Sequence, residues 1–367
     1  MIRMKVLQVF SKLDKGGAEL RTIALSKELK RHNVTFDYLC LSGKKGSLDD
    51  ELIKEGSKIY YVKLKSPKFF SELNNILKKH AYHAVHSHVL YASGIIQWIA
   101  KRNQVPVRIS HFRSTGSGKQ ESYFTQKRNS LLLKLIVNQS TDILCVSKSV
   151  KKAIFKHMKQ IPDHVKVMYN GFSEDSIFKG VRQKEKKVII HVGRMILDKN
   201  HMKVLEVFKK IHDRDKEFRL VLVGQINNQI KEKLDEFISE NSLNESVVFL
   251  GVRNDIPELL SSSSLMIFPS KREGLPGGVL EALINGIPVL GSDIDPIKEL
   301  KQYYGKLECI NINETSNKWA ERAMNLVNKH NKIKQSSEEL TIQLRQTPFS
   351  IEKNISEIFE MYDRDNK

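Results

Sequence analysis

The chain has 367 residues, of which 40% are hydrophobic and 28% are charged, and these proportions argue against a disordered protein. No run approaches about 18 uninterrupted apolar residues, so the sequence predicts no membrane-spanning helix. The formal net charge of +19 belongs to one half, because residues 1–180 hold 32 Lys and Arg against 14 Asp and Glu, whereas residues 181–367 hold 29 against 28. A basic half indicates an anionic partner, such as nucleic acid, acidic lipid or a phosphorylated substrate, or simply solvated lysines.

Strand and helix patterns alternate through the first half of the chain. Short apolar runs predict the strands Met4–Phe10, Val34–Leu41, Ile59–Leu64, Ala84–Val89, Val107–His111, Ile143–Ser147 and Val165–Tyr169. A helix follows Gly16 and Gly17, with Leu20, Ile23, Ala24 and Leu29 predicted on its apolar side. Further helices are predicted at about Phe69–Lys79, Ser93–Arg102, Gln120–Asn138 and from Ser149, with Ser147 as an N-cap.

Residues 172–187 are polar and break this alternation, which predicts a domain boundary. The second half then gives the strands Val188–Val192, Leu220–Val223, Val247–Leu250, Leu265–Phe268, Ile287–Leu290 and Leu307–Ile312. Helices are predicted from the loop 193–199 to His212, at Asp255–Leu260, at Gly278–Asn285 and from Glu314 onwards. The predicted domains are therefore residues 1–175 and 187–348, followed by a helical segment at 349–367.

Two successive series of strand, helix and strand predict an α/β protein with two doubly wound, Rossmann-like parallel sheets. In such sheets ligands bind beyond the carboxyl ends of the strands. Two domains whose carboxyl ends face each other would form a cleft, where two substrates can meet and water is excluded.

The stretch from Phe268 to Ser292 is the most informative one for function. A glycine-rich turn leads there from a strand into a helix, and such a turn presents backbone N–H groups and a positive helix end to a phosphate. Glu273 on the loop and Glu281 in the helix can accept hydrogen bonds from hydroxyl groups. Together these features predict a sugar-nucleotide pocket, although many doubly wound domains have a glycine-rich turn and Glu281 could be a helix-surface acid.

Arg194 and Lys199 follow the first strand of the second domain, next to Gly193. Both side chains only donate hydrogen bonds, and a pair of cations suits a diphosphate leaving group, which makes a metal ion unnecessary. Asp293 and Asp295 have metal-ligand spacing but no partner elsewhere in the sequence, so we predict no metal.

Histidines and glycines follow strands of the first domain as well. His86 and His88 share one strand and His111 ends the next, so the three could form a metal site, a sugar-binding edge or core histidines with satisfied partners. We favour a histidine that hydrogen-bonds a sugar hydroxyl. Gly16 and Gly17 can let the backbone approach a phosphate, or they are merely a turn.

Taken together, the segments GGAE, HSH, SHFRS, VGRMILDKN and EGLPGGVLEA resemble those of family 4 glycosyltransferases, which are retaining enzymes with the GT-B fold. The resemblance covers nearly the whole chain. It implies a C-terminal helix, at about Ile351–Tyr362, that crosses back onto the first domain.

The resemblance also implies roles for individual residues. His111 would contact the donor sugar near the reacting carbon, Arg194 and Lys199 would hold the diphosphate, and Glu273 would bind sugar hydroxyls. Glu281 would bind the ribose and the main chain at Arg253 would face the base. The phosphate or sugar would lie beside Gly16, Gly17, Gly193, Leu275, Pro276, Gly277, Gly278 and Val279. Acceptor-side candidates are His86, His88 and Arg113.

Two departures from the family pattern affect the donor pocket. Many relatives have a second glycine directly after Gly224, where this chain has Gln225, and bulky residues where it has the sequence Leu275-Pro276-Gly277-Gly278. The identity of the donor sugar is therefore left open.

The function predicted from the sequence is transfer of a hexose or N-acetylhexosamine, with retention, from a nucleotide-sugar, UDP-sugar favoured, to a hydroxyl of a glycan acceptor. A polyprenyl-diphosphate-linked glycan in cell-surface polysaccharide synthesis is the favoured acceptor, and no cofactor is predicted. The alternatives are a GT-B sugar-nucleotide epimerase, transfer to a soluble small molecule, or a basic nucleic-acid-binding protein.

A cytoplasmic protein at the inner face of the cell membrane is the predicted location. The chain begins directly in a strand pattern without signal-peptide features, and Cys40, Cys145 and Cys309 match no metal or disulfide framework. Basic and apolar side chains are interleaved in the first domain, as at an anionic lipid surface. They are Lys44, Lys45, Lys63, Lys65, Lys68, Phe69, Phe70, Lys119, Tyr123, Phe124, Lys127, Arg128, Leu131, Leu132, Leu133, Lys134, Lys151, Lys152, Phe155 and Lys156.

Overall fold

A computed structural model describes residues 3–116, 122–180, 187–330 and 335–364. The chain divides into an N-terminal unit, formed by Met1–Phe172 and Phe349–Lys367, and a C-terminal unit, formed by Ser173–Pro348. Lys119, the predicted helix start at Gln120 and the part of the predicted linker at 181–186 lie outside the described residues. None of the helices within the described ranges is long and apolar enough to cross a membrane.

The N-terminal unit is built on a seven-stranded parallel sheet with the strand order β3-β2-β1-β4-β5-β6-β7. Its strands are β1 Met4–Phe10, β2 Val34–Cys40, β3 Ile59–Tyr61, β4 Ala84–Ser87, β5 Val107–Phe112, β6 Asp142–Cys145 and β7 Val165–Val167. Its helices are α1 Gly17–Leu29, α2 Asp49–Lys54, α3 Phe69–His80, α4 Ser93–Arg102, α5 Tyr123–Gln139, α6 Lys148–Phe155 and, from the end of the chain, α14 Ile351–Tyr362.

Both faces of this sheet are buried. Alternate side chains of a strand point to opposite faces, so neighbouring residues of β1 belong to different hydrophobic clusters. Val6 and Phe10 of β1 belong to one hydrophobic cluster, and Leu7 and Val9 belong to another. Helix α14 completes the first of these clusters with Ile358 and Tyr362. The last segment of the chain therefore folds as part of the N-terminal unit.

The C-terminal unit contains a six-stranded parallel sheet with the order β10-β9-β8-β11-β12-β13. Its strands are β8 Val188–Val192, β9 Arg219–Val223, β10 Val247–Gly251, β11 Leu265–Phe268, β12 Val289–Ser292 and β13 Leu307–Ile310. Its helices are α7 His201–Arg214, α8 Asn228–Glu240, α9 Ile256–Ser261, α10 Gly277–Ile284, α11 Asp295–Lys298, α12 Ser316–His330 and α13 Ser337–Gln346. Short 3₁₀ turns occupy Lys30–His32, Leu90–Ala92, Glu174–Ser176, Leu197–Lys199 and Glu299–Gln302.

The predicted fold class is confirmed, since each unit is a parallel sheet covered by helices. Some elements differ from the prediction. Leu20 of α1 is exposed, and the helix instead buries Thr22 and Leu25 beside Ile23 and Leu29. The region from Glu314 onwards is not continuously helical, because the segment 347–350, which contains Pro348, separates α13 from α14.

Helices α2 and α8 were not predicted. The apolar residues of α8, at Ile230, Leu234, Phe237 and Ile238, have the four- and three-residue spacing of an amphipathic helix. Their pattern was obscured because the rest of the helix is strongly charged. Leu234 and Ile238 are buried in the main cluster of the C-terminal unit.

Gly224 shapes the loop that follows β8. It has φ +141°, a backbone conformation that other residues rarely adopt, and a Cβ at this position would overlap the carbonyl oxygen of Gly193. The N–H of Gly193 donates to Val223 O at 2.8 Å, and the N–H of Met195 donates to Gln225 O at 2.9 Å. The end of β9 thereby fixes the start of the loop that carries Arg194 and Lys199.

Candidate active site

The carboxyl ends of β8 and β11 meet at the point where the strand order of the C-terminal sheet reverses. The two strands are neighbours, but the chain leaves β8 towards β9 and leaves β11 towards β12. Loops that leave adjacent strands in opposite directions open a crevice, which is the usual ligand site of a doubly wound sheet. Here these are the loop 193–200 after β8 and the loop 269–276 after β11.

Lys199 and Glu273 join these two loops through an ion pair. Lys199 Nζ lies 2.6 Å from Glu273 Oε1, and the two side chains are only 17% and 10% exposed. The Ser270 hydroxyl donates to the same Glu273 oxygen at 2.6 Å, and Lys199 Nζ stands 4.8 Å from the centre of the Phe268 ring. An ion pair shielded from water in this way is screened little by salt. Glu273 and Lys199, which the sequence assigned to different parts of a ligand, therefore contact each other.

Asp198 also connects the same two loops, through both its backbone carbonyl and its carboxylate. Its carbonyl oxygen accepts from Lys271 N at 2.7 Å and lies 3.0 Å from the Ser270 hydroxyl oxygen. Its carboxylate pairs with Arg272 at 2.6 Å. These contacts mean that the positions of Lys199 and Glu273 are fixed by neighbouring residues as well as by their own ion pair.

Neutral histidines lie beneath Lys199. His191 is fully buried, stacks on Phe268, and its Nδ1 lies 2.9 Å from Ile267 O. Burial, followed by the charge of Lys199, lowers the pKa of His201 to about 4, and burial also holds the pKa of His191 well below its ordinary value. The histidines below Lys199 are thus uncharged at neutral pH, and Lys199 is the charged side chain that lies over them.

Arg194 is exposed in the same loop as Lys199. Within the described part of the chain, its guanidinium forms no hydrogen bond or ion pair. A guanidinium offers five donors in a planar fork that matches a phosphate. Arg194 can therefore receive an anionic ligand without breaking an existing contact.

Helix α10 begins beside this ion pair. Its N-cap residue Pro276 provides no side-chain capping bond, and a helix leaves its first N–H groups without partners inside the helix. Gly278 packs closely on β8, since a Cβ there would lie 2.8 Å from Val192 O. Leu275, Pro276 and Val279 are buried, and Glu281 is half-buried one turn into the helix. This arrangement suits a negatively charged group at Gly277 and Gly278.

Arg253 lies on the loop after β10 and is exposed. It forms an ion pair with Asp255 at 2.6 Å, and this pair raises the pKa of Arg253. Its side chain is therefore engaged locally. The predicted contact of the main chain at Arg253 with a nucleotide base stays a prediction.

The strand order of the N-terminal sheet also reverses, between β1 and β4. His86 lies in β4, His88 follows β4 directly, His111 lies in β5, and Arg113 follows β5. His86 Nε2 and His111 Nδ1 are 3.2 Å apart, and His88 Nδ1 accepts from Arg113 Nε at 3.3 Å. The structure therefore brings the predicted donor-sugar residue His111 together with the three predicted acceptor-side residues.

Three further residues complete this cluster. Gln8 of β1 contacts His88 Nε2 through Oε1 at 2.8 Å and the Tyr362 hydroxyl through Nε2 at 3.2 Å. The Tyr362 hydroxyl lies 2.8 Å from His86 Nδ1, and Arg113 donates to Asn170 Oδ1 at 2.5 Å. Tyr362 belongs to α14, so the helix at the end of the chain contributes to the cluster.

The histidines of this cluster are neutral at pH 7. Burial, followed by the charge of Arg113, holds the pKa of His86 and of His111 well below its ordinary value. Burial also lowers the pKa of His88, and it lowers the pKa of Arg113 to about 10. Arg113 is thus a cation that lies among neutral histidines.

Gly16 and Gly17 stand at the start of α1, in the loop after β1. Gly16 is the N-cap, and a Cβ on Gly17 would meet no atom within 4 Å. Packing within the unit therefore does not require a glycine at position 17. A contact between these glycines and a phosphate stays a prediction.

The described residues contain one group of histidines, cysteines or acids that could hold a metal ion. It consists of His86, His88 and His111, whose ligand atoms all lie within 4.8 Å of one another. Several of these ring nitrogens are already engaged by Arg113, Gln8 and Tyr362. Asp293, in the other candidate pair, accepts a hydrogen bond from Asn311 at 3.3 Å.

Only some of the residues predicted to bind acidic lipid are exposed on the surface. Phe69 and Phe155 are buried in the core, so their predicted place on the surface is wrong. In contrast, Tyr123, Phe124 and Leu131 of α5 are 68%, 82% and 63% exposed. The apolar part of this surface therefore lies mainly on one helix.

Sequence reasoning missed Ser270, Asp198, Gln8 and Tyr362 as site residues. Asp198 directly precedes Lys199, and Ser270 lies three residues before Glu273 on the other loop, so their positions could have signalled a role. Gln8 is a polar residue in the middle of the apolar β1 strand, which is also a signal. Nothing in the local sequence around Tyr362 indicates its contact with His86.

Comparisons with known proteins address the family and the fold of the chain. The family description "Glycosyltransferase Family 4" matches residues 15–176, and "Glycosyl transferases group 1" matches residues 172–339. The chain is similar to the capsular polysaccharide biosynthesis glycosyltransferase CapH of Staphylococcus aureus, with 36% identity over 82% of this chain and 84% of the relative. It is also similar to an Escherichia coli UDP-Gal:alpha-D-GlcNAc-diphosphoundecaprenol alpha-1,3-galactosyltransferase, with 26% identity over 72% and 73%.

A solved structure has the same fold. Anabaena HepE, crystallised with UDP and glucose, superposes with a TM-score of 0.78 at 17% identity, over 98% of this chain and 100% of that one. At this level of identity the likeness shows the fold alone, which is the GT-B fold.

Proposed function

The chain belongs to the family 4 and group 1 glycosyltransferases, and on that premise we propose that it is a retaining, UDP-sugar-dependent enzyme of cell-surface polysaccharide synthesis. It transfers a hexose or N-acetylhexosamine to a hydroxyl of a polyprenyl-diphosphate-linked glycan. It works at the cytoplasmic face of the cell membrane.

The observation that carries this proposal is the ion pair of Lys199 and Glu273 at the reversal point of the C-terminal sheet, next to Arg194. The three side chains combine two cations for a diphosphate with one carboxylate for sugar hydroxyls. The start of α10 adds backbone N–H groups, and Glu281 adds an acceptor for ribose hydroxyls. This set of groups matches the parts of a sugar nucleotide.

The proposed reaction needs no metal ion. As the bond between the sugar and the diphosphate breaks, negative charge develops on the leaving oxygen, and Arg194 and Lys199 stabilise it. The acceptor hydroxyl attacks the anomeric carbon on the face from which the diphosphate departs. Its proton passes to the leaving phosphate oxygen. The protein contributes positioning and electrostatic stabilisation rather than a covalent intermediate.

The relatives support the choice of donor and acceptor. The Escherichia coli relative uses UDP-galactose and a diphosphoundecaprenol-linked acceptor, and the Staphylococcus aureus relative acts in capsular polysaccharide biosynthesis. On this basis the proposal for this chain includes a UDP-sugar donor and a lipid-linked acceptor.

Ligand-induced thermal stabilisation tests the donor site. UDP and one UDP-sugar are expected to raise the melting temperature selectively over GDP, ADP and their sugar conjugates, because a ligand that binds only the folded state at about 100 times its Kd adds about 2.7 kcal/mol. Glu281→Ala should lose this stabilisation. Glu236→Ala, an exposed acid on α8, should keep it. Selective stabilisation by GDP or ADP would contradict the choice of UDP, and no stabilisation by any nucleotide would contradict the donor site.

The exposed face of α5 carries the proposed membrane contact. Phe124 and Leu131 lie seven residues apart on one side of the helix, with Lys127, Arg128 and Lys134 between and beside them. Apolar side chains flanked by cations can insert at the headgroup level of an anionic lipid surface. We therefore propose acidic lipid, rather than nucleic acid, as the partner of the basic first half of the chain.

Liposome co-sedimentation tests this contact. Each cation near an anionic surface contributes about 1 kcal/mol, so replacing Lys127, Arg128 and Lys134 by Gln should weaken binding to vesicles with acidic lipid about a hundredfold. Phe124→Ser should also weaken it, whereas Ile342→Ser, an exposed apolar residue on α13, should not. Binding that does not depend on acidic lipid would exclude the membrane part of the proposal.

A further inference from the structure

Six side chains of the N-terminal unit form a continuous chain of hydrogen bonds. In order along this relay they are Arg113, His88, Gln8, Tyr362, His86 and His111. The relay begins at a guanidinium and ends at a buried imidazole. A histidine or an amide can be turned either way in such a relay, so its direction has to be set by a group with fixed hydrogens.

Arg113 is that group, because a guanidinium only donates hydrogen bonds. Its Nε donates to His88 Nδ1, so this nitrogen carries no hydrogen and His88 holds its single proton on Nε2. His88 Nε2 then donates to Gln8 Oε1 at 2.8 Å. The opposite orientation of the Gln8 amide would set its NH₂ group against the Nε2–H of His88. Arg113 thereby fixes both the tautomer of His88 and the orientation of Gln8.

The direction passes on to Tyr362. The Gln8 amide donates through Nε2 to the Tyr362 hydroxyl at 3.2 Å. This hydroxyl is fully buried, and its other hydrogen-bond partner among the described residues is His86 Nδ1 at 2.8 Å. A buried hydroxyl proton without a bond is costly, so the proton points at His86 Nδ1.

His86 therefore carries its proton on Nε2, from which it donates to His111 Nδ1 at 3.2 Å. His111 must then carry its own proton on Nε2. This atom is buried and has no hydrogen-bond partner among the described residues. His111 is one of the residues that line a pocket of the N-terminal unit, together with Arg21, Arg113 and Asn170.

We infer that Gln8 and Tyr362 are positioning residues that hold His111 as a hydrogen-bond donor at Nε2, directed at an oxygen atom of a bound substrate. His111 then cannot act as a general base through this nitrogen, and it cannot bind a metal ion there, because the lone pair that both roles need is replaced by a proton. The helix at the end of the chain thus sets the hydrogen-bonding character of a residue in β5. The inference rests on the proposed function only for the identity of the substrate.

Long-range ¹H–¹⁵N NMR of protein labelled with ¹⁵N-histidine reports which ring nitrogen carries the proton. We expect His86, His88 and His111 of the wild type to be protonated on Nε2, with signals assigned through single His→Gln variants. Tyr362→Phe removes the hydroxyl that presents a proton to His86, so His86 and His111 should become mixtures of the two tautomers. Tyr38→Phe removes another buried hydroxyl from the same core cluster and should leave the tautomers unchanged.

A second variant reverses the relay instead of interrupting it, and it replaces the first if Tyr362→Phe does not fold. In Gln8→Glu an ionised carboxylate can only accept, so the Tyr362 hydroxyl turns towards it and must accept from His86 Nδ1. His86 and His111 should then both carry their protons on Nδ1. A wild-type His111 protonated on Nδ1, or a His111 tautomer that neither variant changes, would overturn the inference.

The kinetics of the transfer reaction provide a test that is independent of the NMR experiment. Tyr362→Phe is expected to lower kcat/KM about tenfold, the typical effect of one hydrogen bond, while Tyr38→Phe stays within about twofold of the wild type. An unchanged kcat/KM in Tyr362→Phe would count against a role in substrate binding. A protein that has the expected tautomers but no activity with any nucleotide-sugar would overturn the proposed function and leave the tautomer assignment standing.

Discussion

Lys199→Met is expected to lower kcat/KM for transfer from a UDP-sugar by two to three orders of magnitude. Removing one preorganised donor from a site where charge develops typically costs about 100-fold to 1000-fold. Methionine keeps an unbranched side chain against the Phe268 ring and removes only the charge. The rate of UDP release, with the UDP-sugar identified by thermal stabilisation, measures the effect.

The matched control is Lys209→Met. Lys209 lies on α7, which begins two residues after Lys199, and its ion pair with Asp213 at 2.6 Å is on the surface. This variant should retain wild-type kcat/KM, and the wild type should remain fully active in EDTA, because in the proposed mechanism two side-chain cations take the place of a metal ion. Loss of activity in EDTA, or a Lys199→Met variant within threefold of the wild type, would contradict the proposed role.

Stability has to be measured beside activity. Lys199→Met leaves the carboxylate of Glu273 largely buried without its cation, which can cost about 3 kcal/mol. The double variant Lys199→Met with Glu273→Gln removes both charges and should recover most of this stability. It should not recover kcat/KM. This combination separates a folding defect from a lost contact with the diphosphate.

The elements that could be predicted are those whose signals are local in the sequence. The prediction of strand β11 is right at every residue, because Leu265–Phe268 is an apolar run between Ser264 and Pro269 and is buried on both faces. Ser147 was predicted as an N-cap, and its side chain does accept from Val150 N. Helix α8 was missed because charges dominate its composition, although the spacing of Leu234 and Ile238 is helical.

The members of the candidate site were predictable, whereas their contacts with each other were not. Lys199 and Glu273 stand 74 positions apart, and their ion pair depends on β8 and β11 being neighbours. A pattern of apolar runs gives the strands but not their order in the sheet. Tyr362 and His86 are 276 positions apart, and their hydrogen bond depends on how α14 packs. Residue types can thus indicate a class of ligand, whereas the contacts between the site residues can be assigned only once the fold is known.

Glu273→Ala is expected to lower kcat/KM about a hundredfold, and added azide should not restore turnover. A retaining mechanism with a covalent intermediate would use a carboxylate as nucleophile, and azide could then occupy the space left in the variant and form a glycosyl azide of inverted configuration. In this structure Oε1 of Glu273 accepts from both Lys199 and Ser270 at 2.6 Å. A carboxylate held in this way is suited to binding hydroxyls, and loss of charge-assisted hydrogen bonds accounts for an effect of this size.

Glu273→Gln provides the comparison, since its amide oxygen can still accept from Lys199 and Ser270. We expect it to keep more activity than Glu273→Ala and to show no sugar adduct by intact-protein mass spectrometry during turnover. Lys271→Ala, an exposed charge two residues away on the same loop, should not alter the product and should respond to azide like the wild type. A glycosyl azide formed only by Glu273→Ala, or a trapped sugar on the Glu273→Gln protein, would assign Glu273 as the nucleophile. Either result would replace same-face attack by double displacement, while leaving the diphosphate contacts of Arg194 and Lys199 as they are proposed.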